Sequence, residues 1–161
     1  AEKLVIASKK RFKVFADDNG QDLLATGEVD VAQEWNGDIL QVMNEDDDIT
    51  YVVPDEGSNL WQDCLAIPAD APHPENAHAF INYILEPEVG ADIARTVQFG
   101  TPNEASKKLL DTDYLKNRKG QTDLDEIFPP EAVLAKCEPS LYLGEEATRL
   151  RDEAWSRIQA A

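Results

Sequence analysis

Two cysteines and two histidines are all that this chain offers a soft metal, and neither pair is arranged to hold one. His73 and His78 lie five positions apart and do not share a helical face, so they make no zinc pair. Cys64 and Cys137 are too few for a metal site of their own or for a disulfide-rich scaffold. No run of about 18 apolar residues occurs, which excludes a membrane-spanning helix, and the longest apolar run near the start, Leu4 to Ala7, is too short for the core of a signal peptide. The catalytic signatures are also missing: there is no glycine-rich phosphate loop, no Gly-x-Ser-x-Gly elbow and no His-Glu-x-x-His. Positive charge is scarce as well, with 15 Lys and Arg against 32 Asp and Glu, a formal net charge of −17. Such a field repels nucleic acid and anionic membranes and draws in polycations, although solubility alone also accounts for an acidic surface.

What is present begins with residues 57–68, Gly-Ser-Asn-Leu-Trp-Gln-Asp-Cys-Leu-Ala-Ile-Pro, which read as a strand. Strand side chains alternate between faces, so Trp61 and Asp63 are expected on one face and Gln62 and Cys64 on the other. Upstream, Glu34-Trp35-Asn36-Gly37-Asp38 repeats the chemistry, an indole followed by an acid three residues on. An aromatic face attracts an ammonium group and its methylenes, and a carboxylate supplies the charged hydrogen bond. The pattern suits an organic cation. A core Trp with an edge Asp is the plainer reading of the same stretch. One bridge between Cys64 and Cys137 would close a long loop, worth about 4 kcal/mol on the chain-entropy argument, and would brace the strand from behind. Two buried free thiols are the alternative.

With 42% hydrophobic residues in 161, the chain has material for an ordinary globular core. Short strands are expected at residues 12–15, 29–32 and 49–53. Helices are expected at 21–25, capped by Asp18 or Asn19 and stopped at Gly27, and at about 37–42. Residues 44–48 form an acidic run without the glycine and distal Glu of a calcium loop, so a solvated turn is expected. A helix starting at residues 72–74 carries Ala77, Phe80, Ile81, Ile84 and Leu85 on one face and ends at Pro87. The next carries Val89, Ile93, Ala94 and Val97. A short helix follows Pro102 and runs to Leu110; residues 111–125 are polar with few apolar anchors, and order resumes after Pro129-Pro130. The last helix starts near Glu145, with Leu150, Ala154, Trp155 and Ile158 as its buried face.

Several separated motifs resemble one family in its order: Gly-Glu-Val-Asp-Val-Ala-Gln-Glu-Trp-Asn-Gly-Asp at 27–38, Val-Pro-Asp-Glu-Gly at 53–57, Leu-Trp-Gln-Asp at 60–63 and Ala-Ile-Pro-Ala-Asp-Ala at 66–71. Phe-Ile-Asn-Tyr-Ile-Leu-Glu-Pro-Glu-Val at 80–89 and Gly-Thr-Pro-Asn-Glu-Ala at 100–105 continue it. They resemble the polyamine-binding proteins of bacterial ABC importers, the spermidine/putrescine periplasmic receptors, well over residues 10–110 and loosely elsewhere. The resemblance implies an α/β fold of the type II periplasmic-binding-protein kind, of which this chain is similar to the C-terminal part of the two-lobe architecture. Residues 1–57 then correspond to the end of the second lobe, and 58–161 to the crossover strand and the return into the first. Both lobes would be incomplete, with apolar edges left for a missing N-terminal segment or for self-association.

The same resemblance implies a periplasmic binding protein, not an enzyme, with no cofactor, a polyamine as ligand and the membrane permease of an ABC transporter as partner. Trp35 and Trp61 would wall the ligand, and Asp63 would pair with an ammonium. Asp38 matches an acid of putrescine-type receptors where other members carry Ser. Phe99 stands where the family often has Tyr, keeping the ring and losing the hydroxyl hydrogen bond. Ser140 falls near a further site position. A receptor for another organic cation or an amino-acid-like solute, or an interaction module outside transport, are the alternatives. A glycosidase pair among the many carboxylates is a more distant one.

Overall fold

The structure, a computed structural model, describes residues 1–110 and 127–161. Among these, α1 is Glu2–Ser8, followed by a 3₁₀ turn at Lys9–Arg11, α2 is Gly20–Ala25 and α3 is Asn36–Val42. Strand β1 is Asn59–Leu60; α4 is Pro74–Ile84, α5 is Pro87–Val97 and α6 is Glu104–Leu109. Then come α7 at Glu131–Leu134, strand β2 at Glu138–Pro139 and α8 at Glu145–Ala160. The polar stretch expected at 111–125 lies outside the described residues.

The helix boundaries follow local chemistry. Proline stands in the first turn of both α4 and α5, where its missing N–H costs nothing and its fixed φ suits the helix. Asn103 caps α6, its side-chain oxygen accepting from the N–H groups of Ala105 and Ser106, while its amide nitrogen donates to the Leu85 carbonyl just beyond α4. One side chain thereby ties the end of one helix to the start of another. Helix α2 starts after Asn19 without a side-chain cap and is followed by Gly27 at φ 69°.

Two small apolar clusters hold the chain together. Ile39, Leu40 and Met43 of α3 and its end meet Ile127, with Leu24, Ile49, Tyr51 and Phe128 packed around them. Ala91, Ala94 and Leu110 form the second, and Phe128 packs against both. Lys107 places its ammonium 4.6 Å from the Phe128 ring centre. At the far end, the Arg157 guanidinium donates to both carboxylate oxygens of Glu2 at 2.9 Å, and Lys9 donates to the carbonyls of Ile158 and Gln159. Phe15 meets Trp155 edge to face with 5.2 Å between ring centres.

The strands expected at 12–15, 29–32 and 49–53 do not form. A strand needs a hydrogen-bonded neighbour, and β1 and β2 are the pair that form one among the described residues. Val31, in the middle of the strand expected at 29–32, is 86% exposed. The segment 57–68 contributes only Asn59 and Leu60 to a strand, so the alternation expected along it stops at Leu60. The apolar face expected on α8 is likewise reduced to Ile158, with Leu150 and Trp155 about half exposed. Phe80 on α4 and Leu85 just after it also face water. The structure is therefore more helical than the α/β reading anticipates.

The cysteines stay apart as free thiols, Cys64 exposed and Cys137 half-buried. The expected bridge is not made, and the strand register explains why. The parallel pairing of Asn59 with Glu138 sets Cys137 level with Ser58, six positions before Cys64 on a segment running the same way, whereas a disulfide needs Cα atoms within about 7 Å.

Leu40 is fully buried and Leu150 is not, so Leu40→Ala is expected to cost about 2–5 kcal/mol and Leu150→Ala less than about 0.5 kcal/mol, read from urea midpoints. The hydrogen bond from Arg157 holds the Glu2 carboxyl below its usual range, with burial opposing it. A depressed carboxyl contributes docking above its unfolded pKa and loses it as pH falls through the folded value. NMR resonances of α1 are therefore expected to move toward frayed positions on acidification below the usual carboxylate range, and Arg157→Ala is expected to give the same shift at neutral pH.

Candidate functional site

Helix α3 begins one residue after Trp35, whose backbone is extended, so the indole stands outside the first helical turn. Gly37 follows within that turn, and the Phe99 ring lies against it: a β-carbon at position 37 would stand 2.5 Å from two ring carbons. Only glycine admits the ring there. Phe99 is delivered by Gln98, which closes α5 in the left-handed conformation at φ 60° and donates its N–H to the Ala94 carbonyl. Gln41 of α3 donates to the Val97 carbonyl at 3.2 Å, which locks the end of α5 onto α3.

Trp61 enters from the other side, directly after β1. The strand is positioned by β2, with the Ser140 N–H donating to the Leu60 carbonyl at 2.7 Å and the Ser140 hydroxyl to Oδ1 of Asn59 at 2.8 Å. Gly57, at φ 96°, lets the segment pass against the Lys136 carbonyl, a place where a β-carbon does not fit. The outcome is a row of three rings. Trp35 and Trp61 have centres 4.5 Å apart with planes tilted by 57°, and Trp61 and Phe99 are 5.7 Å apart and close to perpendicular at 81°. Trp35 is 40% exposed, so one end of the row opens to water.

Acids gather at that open end. Nε1 of Trp35 donates to Oδ1 of Asp18 at 3.4 Å. Glu34 accepts from the Gly20 N–H at 2.7 Å and from the Trp35 N–H at 3.3 Å. Asp38, in the first turn of α3, has its carboxyl pushed above the usual range, by burial first and by the nearby Asp18 charge second. A carboxylate held this way gains from an incoming cation. Aromatic faces, two neighbouring acids and an opening to solvent together suit a protonated amine attached to an apolar chain.

Of the residues singled out in the sequence, Trp35, Trp61 and Phe99 are brought into contact, and Asp38 stands on the same helix start. Ser140 takes its place in the strand pairing that precedes Trp61. Asp63 is exposed in the irregular segment after β1, and the strand-face argument that joined it to Trp61 does not apply there. Asp18 and Glu34 were not anticipated as part of this site. Asp18 was readable only as a helix-capping candidate, and its reach to a tryptophan 17 positions away has no local signature. A groove of about 560 Å³ runs along α8 beside Tyr142, Arg149 and Arg157 and contains none of the ring residues. Its guanidinium groups are already paired, Arg149 with Glu146 and Glu153 and Arg157 with Glu2. Among the described residues, no group of three or more His, Cys, Asp or Glu is arranged to hold a metal ion.

Residues 4–119 match the family described as bacterial extracellular solute-binding protein. Similar curated proteins include the spermidine/putrescine-binding periplasmic protein of Salmonella typhimurium, 30% identical over 146 residues, covering 91% of this chain and 40% of that one. That of Escherichia coli K12 is 35% identical over 113 residues, 70% of this chain and 32% of the relative. The putrescine-binding periplasmic protein PotF of the same organism is 28% identical over 166 residues, 99% of this chain and 43% of the relative. The chain thus spans less than half the length of these relatives.

Gly37→Ala is expected to displace Phe99 from α3 and loosen its edge contact with Trp61, changing tryptophan near-UV circular dichroism while far-UV ellipticity is retained. An unchanged near-UV spectrum would show that the ring row does not depend on the close approach at Gly37.

Proposed function

The chain belongs to the bacterial extracellular solute-binding proteins, and from that premise we propose that it binds polyamines as part of a periplasmic receptor serving an ABC importer. The observation that carries this reading is the row Trp35, Trp61, Phe99 with Asp38 and Asp18 at its open end. A polyamine is a chain of methylenes between ammonium groups. It needs apolar walls for the one and carboxylates for the other. The names of the similar proteins, spermidine/putrescine-binding and putrescine-binding, point to the same ligand class.

In this proposal Trp35 and Trp61 wall the methylene chain and Phe99 backs Trp61. Asp38 pairs with one ammonium, and Asp63, exposed beyond Trp61, takes another. Ser140 holds the approach of the site segment. Residues 1–57 belong to the second of two lobes of a type II periplasmic-binding-protein fold, and 58–161 to the crossover and the first lobe. The exposed Val31 and Val52, in stretches of strand composition, are where further strands or a second copy would pair. The membrane permease of the transporter is the partner that would receive the loaded receptor.

The test is calorimetric titration of the 161-residue chain with putrescine and spermidine at low and moderate salt. Binding is expected to weaken with salt and to stay weaker than micromolar, because each cation–ring contact at an exposed site contributes only about 0.5–1 kcal/mol. A bound ammonium favours the ionised Asp38, so affinity is expected to rise with pH through the carboxylate range and level off above the raised Asp38 value, with proton release on binding inside that window. Asp63→Ala is expected to weaken binding several-fold. Absence of any response to either amine, in heat or in tryptophan fluorescence, would overturn the assignment for this chain.

A further inference from the structure

The turn at residues 17–20 and the stretch Glu34-Trp35 hold each other at two points. The Glu34 carboxylate accepts the Gly20 N–H at 2.7 Å and also receives the Trp35 N–H. Gly20 is buried, and a β-carbon there would collide with the Glu34 carboxylate, so the turn lies flush against that side chain. The second point is Asp18, two residues before Gly20, which accepts the Trp35 indole N–H. The short bond at Gly20 places the turn; the longer one at 3.4 Å follows from it. Asp18 is thus set by the backbone of its own turn, and the indole comes to it.

We propose that Asp18 is a positioning residue of the ring site, fixing the tilt of the Trp35 indole against Trp61 through the N–H bond and adding a second negative charge beside Asp38. Trp35 is 40% exposed and tilted by 57° against Trp61, and an exposed indole is packed on one side only. The indole N–H is its one polar handle, and Asp18 is the acceptor it meets. The charged group that acts on Asp38 is Asp18, from the turn before α2, while the Glu34 carboxylate is occupied with two backbone N–H groups. Burial is the first cause of the raised Asp38 carboxyl, and the Asp18 charge adds to it. This deepens the polyamine reading and rests on it only for the ligand.

Two substitutions separate the roles of Asp18. Asp18→Asn keeps an oxygen acceptor for the indole and removes the charge; Asp18→Ala removes both. With 5-fluorotryptophan incorporated, ¹⁹F NMR reads Trp35, Trp61 and Trp155 separately, and Trp155, packed against Phe15, is the internal control for folding. Asp18→Ala is expected to shift and broaden the Trp35 resonance and shift that of Trp61, with Trp155 unmoved, while Asp18→Asn leaves all three near their wild-type positions. Carbon-detected titration of Asp38 is expected to move to lower pH in both variants. Putrescine affinity is expected to fall several-fold in Asp18→Ala and by a smaller factor in Asp18→Asn. Trp35 and Trp61 resonances that ignore Asp18→Ala would overturn the positioning role, whatever the ligand result. An unmoved Asp38 titration would overturn the charge role. Wild-type protein that ignores putrescine while the ¹⁹F shifts occur as expected would leave the positioning role standing and remove the polyamine reading.

Discussion

Position 37 has no side chain, and much of the site follows from that vacancy. The Phe99 ring occupies the space a β-carbon would fill, which brings the end of α5 onto the start of α3. Gln98 must then turn into the left-handed region to point the ring inward, and Gln41 fastens the neighbouring Val97 carbonyl. Trp61 has an edge to rest on because Phe99 is there, and Trp35 has Trp61. An acid chain would otherwise have little reason to cluster three large rings near its surface. The apolar core proper is small, two clusters sharing Phe128, so the rings belong to a region whose order depends on a few specific contacts instead of on bulk burial.

The electrostatics of the site work against the folded state in the absence of a cation. Asp38 is partly desolvated and sits near another acid, so its ionised form is disfavoured. Glu34 spends its oxygens on backbone N–H groups. The two acids on either side of Trp35 therefore do different jobs. Glu34 is structural, and Asp38 is held in a state that a positive ligand relieves.

Helices were legible where prolines and glycines punctuate the chain. Pro74 stands at the start of its helix, Pro87 at the boundary between two and Gly27 after α2, whereas the Asn103 cap of α6 was not foreseen and the cap expected from Asp18 or Asn19 is not made. Strands were not, because a strand is a relation between two segments. Val29 to Ala32 has the composition of one and no neighbour to pair with among the described residues, and Val31 ends up in water. The site divided the same way. Trp35 and Trp61 could be read from residue type and the acids beside them, and Phe99 only through the resemblance to a family. Asp18 could not, because its link to Trp35 is made by a fold-back through Gly20 and Glu34. The alternation that paired Trp61 with Asp63 presumed a strand that stops at Leu60.

The two-residue pairing of β1 with β2 has an entropic side. Ser140 and Asn59 are 81 positions apart in the chain, and the entropy of closing a loop grows with the logarithm of its length. The contacts of Trp61 with Trp35 and Phe99 close much shorter loops. Loop closure therefore costs the clasp more entropy than it costs the ring row. Held by so few bonds, that clasp is also where the segment before Trp61 is least secured, while the C-terminal helix stays tied to α1 by Arg157 on Glu2 and by Lys9 on the carbonyls of Ile158 and Gln159.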